Sequence, residues 1–291
     1  MRYLITPVIA ALFVLACLAF PAAAEAADTL GSISGVVTDE AGAAVPGAYV
    51  NASDQSYVHG GYAYTEPDGS YTISGLASDS YIVYARAPNQ GYITEYYPDS
   101  YSYGSAVAVA VAAPQQTAGI DFTLTLGGSI SGLVSDEAGN PIPGARVYAW
   151  SDDLGYGGNV YTASDGTYNI ACLLSASYRV HVKATGYVTE YYEDVYLYSG
   201  DTTPVPVMAP EVTPNINFTL LLGGSVSGVF QDEAGLPLNR VRVTASNIVN
   251  GVWNFAYTAA DGSYQISDLL PGSYTIHGTC TGYVTEFYDG V

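Results

Sequence analysis

The chain has 291 residues, and 7 Lys+Arg against 27 Asp+Glu leave a formal net charge of −20. Only 12% of residues are charged, about half the usual share, so the acidity reflects a scarcity of bases. This argues against a polyanion partner such as a nucleic-acid backbone or an anionic lipid surface, because both need basic patches. Apolar residues at 49% exclude wholesale disorder, and 28 tyrosines with 32 glycines suit strands and tight turns.

Residues 1–27 read as a signal peptide. Arg2 supplies a short basic start, Leu4 to Phe20 is an apolar run, and Pro21 precedes A-x-A sites at Ala22–Ala24 and Ala24–Ala26. The run is short for a bilayer span. Cleavage is therefore expected, giving a secreted or cell-surface protein with no membrane span after the leader. Cys17, after Val14-Leu15-Ala16, bears a loose likeness to a lipidation site, but the apolar run continues past it. Cys172 and Cys280 fall at non-equivalent positions and read as buried free thiols, although export would permit a disulfide.

The rest is one unit written three times. GSISG at Gly31 recurs at Gly128, and as GSVSG at Gly224. Each is followed by D-E-A-G (Asp39, Asp136, Asp232) and by a D-G-S/T-Y turn (Asp68, Asp165, Asp261). G-Y-x-T-E then appears at Gly91, Gly186 and Gly282. The first two copies close on Ile120-Asp121-Phe122-Thr123-Leu124 and Ile216-Asn217-Phe218-Thr219-Leu220, which run almost directly into the next copy. The units are placed at 31–127, 128–223 and 224–291. Within a unit the apolar period is 2: Ala145, Val147 and Ala149 alternate with Arg146, Tyr148 and Trp150, and Tyr178, Val180 and Val182 with Arg179, His181 and Lys183. Each set is a half-buried strand, and Asp-Gly between such runs is a hairpin signal. Three all-β sandwiches in tandem are expected, each antiparallel, seven-stranded and Greek-key, with no long helix.

The succession G-x-I-S-G-x-V-x-D-E-A-G-x-x-x-P-G-A, T-x-x-D-G-S-Y-x-I-x-x-L and S-Y-x-V-x-x-x-x-x-G-Y resembles the carboxypeptidase regulatory-like domain. The resemblance covers everything after the leader. It implies a transthyretin-like (prealbumin-like) fold, related to collagen-binding B-type and carbohydrate-binding-like sandwiches, and an accessory role with no catalysis of its own. Fold alone assigns no activity.

The residues offer little chemistry. None of His59, His181 and His277 has a Glu at zinc-peptidase spacing, and the last two are expected exposed on a strand. There is no G-x-S-x-G elbow, and neither thiol has an adjacent histidine. The resemblance to collagen-binding B-type domains raises a self-formed isopeptide crosslink, but the first strands contain no lysine. Calcium at Asp39, Asp136 or Asp232 competes with simple turn formation by those side chains. No cofactor, metal or catalytic residue is assigned.

The sharpest candidate is carbohydrate contact through Tyr148 and Trp150, on the outward face of one strand, extended by Tyr161. The first two are replaced by Asn51 and Ser53 in copy one and by Thr244 and Ser246 in copy three, so the pair belongs to one copy. The tyrosines after G-Y-x-T-E (Tyr96, Tyr97, Tyr101, Tyr103; Tyr191, Tyr192, Tyr196, Tyr198) recur at equivalent positions and are read as structural, covering a sheet edge or cementing neighbouring units. Copy three stops before counterparts of Ala106–Ala112 and Ile120–Leu126. Losing the Ile/Phe/Leu face removes three core side chains at roughly 1.5–3 kcal/mol each, so the sequence is expected to be a fragment of a longer array rather than one ending in an incomplete, frayed unit, with copy three by itself less stable than copy two. The reading is a non-catalytic exported stalk or adhesion module; the alternative is a carbohydrate-binding accessory to a larger secreted hydrolase. A polysaccharide and another surface protein are the partner classes left open.

Overall fold

The computed structural model describes residues 30–56, 58–196, 202–247 and 251–288. The expected leader at 1–27 and Tyr198 lie outside the described residues. The first copy runs β1 (Gly31–Asp39), β2 (Tyr49–Asp54), β3 (Gly60–Tyr64), β4 (Ser70–Leu76), β5 (Asp79–Arg86), β6 (Glu95–Tyr96), β7 (Val109–Val111), β8 (Gln116–Thr117) and β9 (Phe122–Leu124). The second repeats the order as β10 (Gly128–Asp136), β11 (Arg146–Ser151), β12 (Tyr156–Tyr161), β13 (Thr167–Leu173), β14 (Ala176–Lys183), β15 (Glu190–Tyr191), β16 (Val205–Val207), β17 (Val212–Thr213) and β18 (Phe218–Leu220). The third has β19 (Gly224–Val229), β20 (Arg242–Ser246), β21 (Trp253–Tyr257), β22 (Ser263–Leu269), β23 (Thr275–Thr279) and β24 (Glu286–Phe287). Among the described residues no helix is long and apolar enough to cross a membrane.

Each complete copy is two facing sheets. In the first, β4 and β1 pair antiparallel, and β8 and β9 follow one another along the other edge of β1. The second sheet orders β3-β2-β5, with β6 and β7 along the far edge of β5. The period-2 pattern places Val50, Ala52, Val83 and Ala85 inside in copy one, as Val147, Ala149, Val180 and Val182 are in copy two. Facing them are Ile33, Val37 and Ile73 from one sheet and Phe122 and Leu124 from the closing strand. Each such side chain contributes roughly 1.5–3 kcal/mol of apolar burial.

Two features depart from seven antiparallel strands. The first two copies have nine strand segments each, and β8 and β9 run parallel to β1, as β17 and β18 do to β10. The split of the closing strand into β8 and β9 comes from a break beside β1. Gly35 of β1 has no side chain, and a Cβ there would lie 1.9 Å from the Ile120 carbonyl oxygen. The closing strand presses in at that point: the Ile120 N–H donates to Ser34 O at 3.1 Å and the Tyr71 hydroxyl donates to Ile120 O at 2.6 Å. The Val36 N–H, left without a backbone acceptor, donates to Asp121 Oδ1 at 2.9 Å. Copy two reproduces this with Gly132, Ile216, Tyr168 and Asn217. The repeated glycine, tyrosine and Asp/Asn are thus parts of one locking device.

The copies adjoin without a spacer. The Gly127 N–H donates to Gly91 O at 2.9 Å, and β10 starts at the next residue. A Cβ on Gly127 would lie 2.5 Å from Cys172 Cα, so the chain passes flush against the end of β13. Gly223 meets Asp268 at the same distance in the second junction. In copy three β19 pairs only with β22 among the described residues. Val226 is half-buried where Ile33 and Ile130 are fully buried, and the core shrinks to Val241, Val243, Ala245, Ile266 and Leu269 with partly buried neighbours.

Candidate functional site: the aromatic sheet faces

The sheet built on β2, β11 or β20 turns alternate positions of each strand outward. In copy two these are Arg146, Tyr148 and Trp150 on β11, Asn159 and Tyr161 on β12, and Arg179, His181 and Lys183 on β14. The Arg146 guanidinium lies 4.8 Å over the Tyr148 ring and 5.5 Å from Tyr161, and its Nε donates to Asn159 Oδ1 at 3.0 Å. Tyr148 stacks on His181 at 4.7 Å and 6°, and His181 continues to Tyr191 at 5.0 Å. Sequence placed His181 as an exposed strand residue; it faces outward but is half-buried between two rings. That burial, with Lys183 beside it, pushes the imidazole down to about 4, so it is neutral at pH 7. Trp150 and Tyr161 are 49% and 61% exposed, and Tyr148 is half-buried.

Sequence confined the Tyr148/Trp150 pair to one copy, which holds, but every copy has an aromatic face built from other positions. In copy one Tyr49 stacks on Tyr62 at 5.4 Å and 28° and meets Tyr64 edge-on at 5.5 Å, with the Arg86 guanidinium 4.9 Å above it. Tyr84, Tyr96 and Tyr103 extend the row. In copy three Trp253 and Phe255 stack at 6.1 Å and 23°, Phe255 meets Tyr257, and Arg242 lies 4.4 Å over Phe255. The signal was available: Tyr64, Tyr161 and Tyr257 occupy one register position in all three copies, each 61% exposed.

The tyrosine pairs after G-Y-x-T-E divide their work. Tyr96 and Tyr191 join the outer face, whereas Tyr97 and Tyr192 pack edge-on against the core residues Phe122 and Phe218 at 6.2 Å. The glutamates of that motif point inward. Glu95 and Glu190 are 2% and 1% exposed, and each has one oxygen without a hydrogen-bond partner among the described residues. Burial, then a neighbouring aspartate (Asp99 or Asp194), pushes each carboxyl up to about 7.

The remaining candidates are structural. Asp39 Oδ1 accepts the Ala41 and Ala43 N–H groups at 2.9 and 2.8 Å, and Asp136 and Asp232 repeat the turn. Among the described residues the one grouping with metal-ligand character is Asp54, His59 and Asp79. There Asp54 Oδ2 already lies 3.1 Å from His59 Nδ1, and Asp54 accepts the Ser56 hydroxyl and the Val58 N–H. Cys172 and Cys280 are half-buried free thiols, and the Cys172 thiol reaches Pro88 O across the first junction at 3.9 Å.

Repeated two-sheet sandwiches with aromatic outer faces place the chain among tandem β-sandwich repeat proteins. The family profile of the carboxypeptidase regulatory-like domain matches residues 32–125, 129–209 and 225–291, and the chain belongs to that family. No curated protein sequence matches it significantly. Solved structures similar to it include the Bacillus anthracis TIE protein, at 18% identity and TM-score 0.28, covering 89% of this chain and 47% of that one; this chain spans about half of that protein's length. GBS52, the minor pilin of Streptococcus agalactiae, is similar at 12% identity and TM-score 0.32, over 65% of this chain and 94% of its own. BcpA, the major pilin subunit of Bacillus cereus, is similar at 11% identity and TM-score 0.23, over 90% and 91%.

Proposed function

We propose that the protein is an exported, non-catalytic stalk or adhesion module. The observation that carries this reading is the direction of the closing strands. Because β9 runs parallel to β1 and β18 to β10, each copy takes the chain in at one end of the sandwich and releases it at the other, flush against the next copy. A nine-residue first strand is about 30 Å long at ~3.3 Å per residue. Three copies in line therefore make a particle about 90 Å long or more. Small-angle scattering of the full chain tests this: the radius of gyration is expected well above the ~19 Å of a compact body of 291 residues. A value near ~19 Å removes the stalk.

A second reading, carbohydrate contact of the kind an accessory module of a secreted hydrolase makes, is favoured by one observation. Trp150 and Tyr161 are open to solvent and not sandwiched between copies. Flat, fixed rings stack on the C–H faces of sugars while their polar edges stay wet. Alanine at Tyr148, Trp150 and Tyr161 is expected to reduce binding on a glycan array, and unchanged binding would remove these three residues from the role.

A further inference from the structure

We propose that the aromatic faces take an acidic polysaccharide, a chain of uronic-acid sugars; the inference rests on the carbohydrate-contact reading above and names the class of sugar. Scarce bases speak against polyanions at the level of composition, but the fold gathers those bases in one place. Apart from Arg2, the chain has six: Arg86, Arg146, Arg179, Lys183, Arg240 and Arg242. All but Arg240 sit at outward positions of the aromatic sheets, Arg146 opposite Lys183 and Trp150 opposite Arg179.

Their geometry suits carboxylates. A guanidinium laid on a ring spends its face on the aromatic and keeps its N–H edge for a bidentate acceptor. Arg86, Arg146 and Arg242 all lie over rings, Arg146 with its Nε–H given to Asn159. The Arg242 Nε is buried and makes no hydrogen bond among the described residues. The acids of the D-E-A-G turns follow β1, β10 and β19, in the opposite sheet; on the aromatic face itself Arg179 is already ion-paired with Asp152, which leaves Arg86, Arg146, Lys183 and Arg242 for a ligand. Screening over about 8–10 Å makes the local face, not the net charge, what a bound ligand meets.

The ratio of rings to charges selects the class. Copy one sets Tyr49, Tyr62, Tyr64 and Tyr84 around the single Arg86. Duplex DNA, with a charge every ~1.7 Å, demands far more bases than that. A uronic-acid chain presents sparse carboxylates between apolar sugar faces, which matches.

The test is affinity electrophoresis and calorimetry of the full chain with polygalacturonate, neutral dextran and oligo-dT. Polygalacturonate is expected to bind, weakening as NaCl rises, and substitution of Arg86, Arg146 and Arg242 by Gln is expected to weaken it by about tenfold or more. The corresponding Lys variants keep the charge but lose the bidentate edge, so they should bind more weakly than the native chain and more tightly than the Gln variants, and the salt titration reads the same charge dependence without any mutation. Dextran bound as tightly as polygalacturonate, with no salt dependence, would overturn the acidic specificity and leave the carbohydrate-contact reading standing. No sugar bound at all would overturn both. Oligo-dT bound more tightly than either would overturn the inference in favour of single-stranded nucleic acid.

Discussion

The glutamate of G-Y-x-T-E shows what one residue can hide. Glu95 and Glu190 are buried with carboxyls pushed up to about 7, above the ~4.3 of an unfolded chain. The native state thus binds a proton the unfolded state has released. Stability is full below the unfolded value and falls as pH rises through about 7. The loss reaches on the order of 3 kcal/mol per carboxyl. Thermal melts should show a higher Tm at mildly acidic than at mildly alkaline pH. The double variant Glu95→Gln/Glu190→Gln should flatten that slope; an unchanged slope places its origin elsewhere. The repeat made the motif visible, but β6 and β15 are two residues long, too short for alternation to say which way the glutamate points. Gly35 has a second, steric signature. Alanine there drives a methyl into the Ile120 carbonyl and should cost on the order of 3 kcal/mol or more. Gly228→Ala in copy three meets only the Tyr264 side chain at 3.0 Å and should cost clearly less in the same denaturant titrations.

At the scale of elements, the long strands were legible because one face is apolar: Val147/Ala149 and Val180/Val182 fall where the period-2 pattern puts them. The parallel closing strand was not, because alternation is the same whichever way a neighbour runs, and because β8 and β9 are two and three residues long. The candidate face was legible where Tyr148 and Trp150 share a strand. It was missed in copies one and three because the rings there sit on the next strand, at Tyr62 and Tyr64 or at Trp253 and Phe255. Copy three offers an internal control for the closing strand. Val36 and Leu133 donate to Asp121 and Asn217, and the Ser32 and Ser129 N–H groups to Gln115 and Glu211. At Ser225 and Val229 the β19 edge has no strand beside it among the described residues. Hydrogen exchange on the whole chain should find these two amides exchanging at least ~100-fold faster than their counterparts. Equal protection would mean that something covers the edge.

At the scale of the whole molecule, composition misleads until the fold is known. A net charge of −20 describes the far field, yet the bases that oppose it line the same sheets as the exposed rings. Ring and charge belong to one face because both sit on outward positions of a strand whose inward positions are Val and Ala, an arrangement that alternation can reveal only strand by strand. The three faces recur at intervals set by the copies, so a long flexible ligand that engages one is held near the next, and avidity exceeds the strength of any single face.

The closing strand also decides how the protein would carry tension. Pulling on the two ends of a copy draws β1 and β9 in opposite directions along their shared axis. Every hydrogen bond joining Val37–Asp39 to Phe122–Leu124 is then loaded at once, in shear, and none can be unzipped ahead of the rest. The same holds for β10 against β18. Single-molecule stretching of the chain should therefore show two high-force unfolding events, from the first two copies, and a third at distinctly lower force from the copy in which, among the described residues, β19 is braced on one side alone.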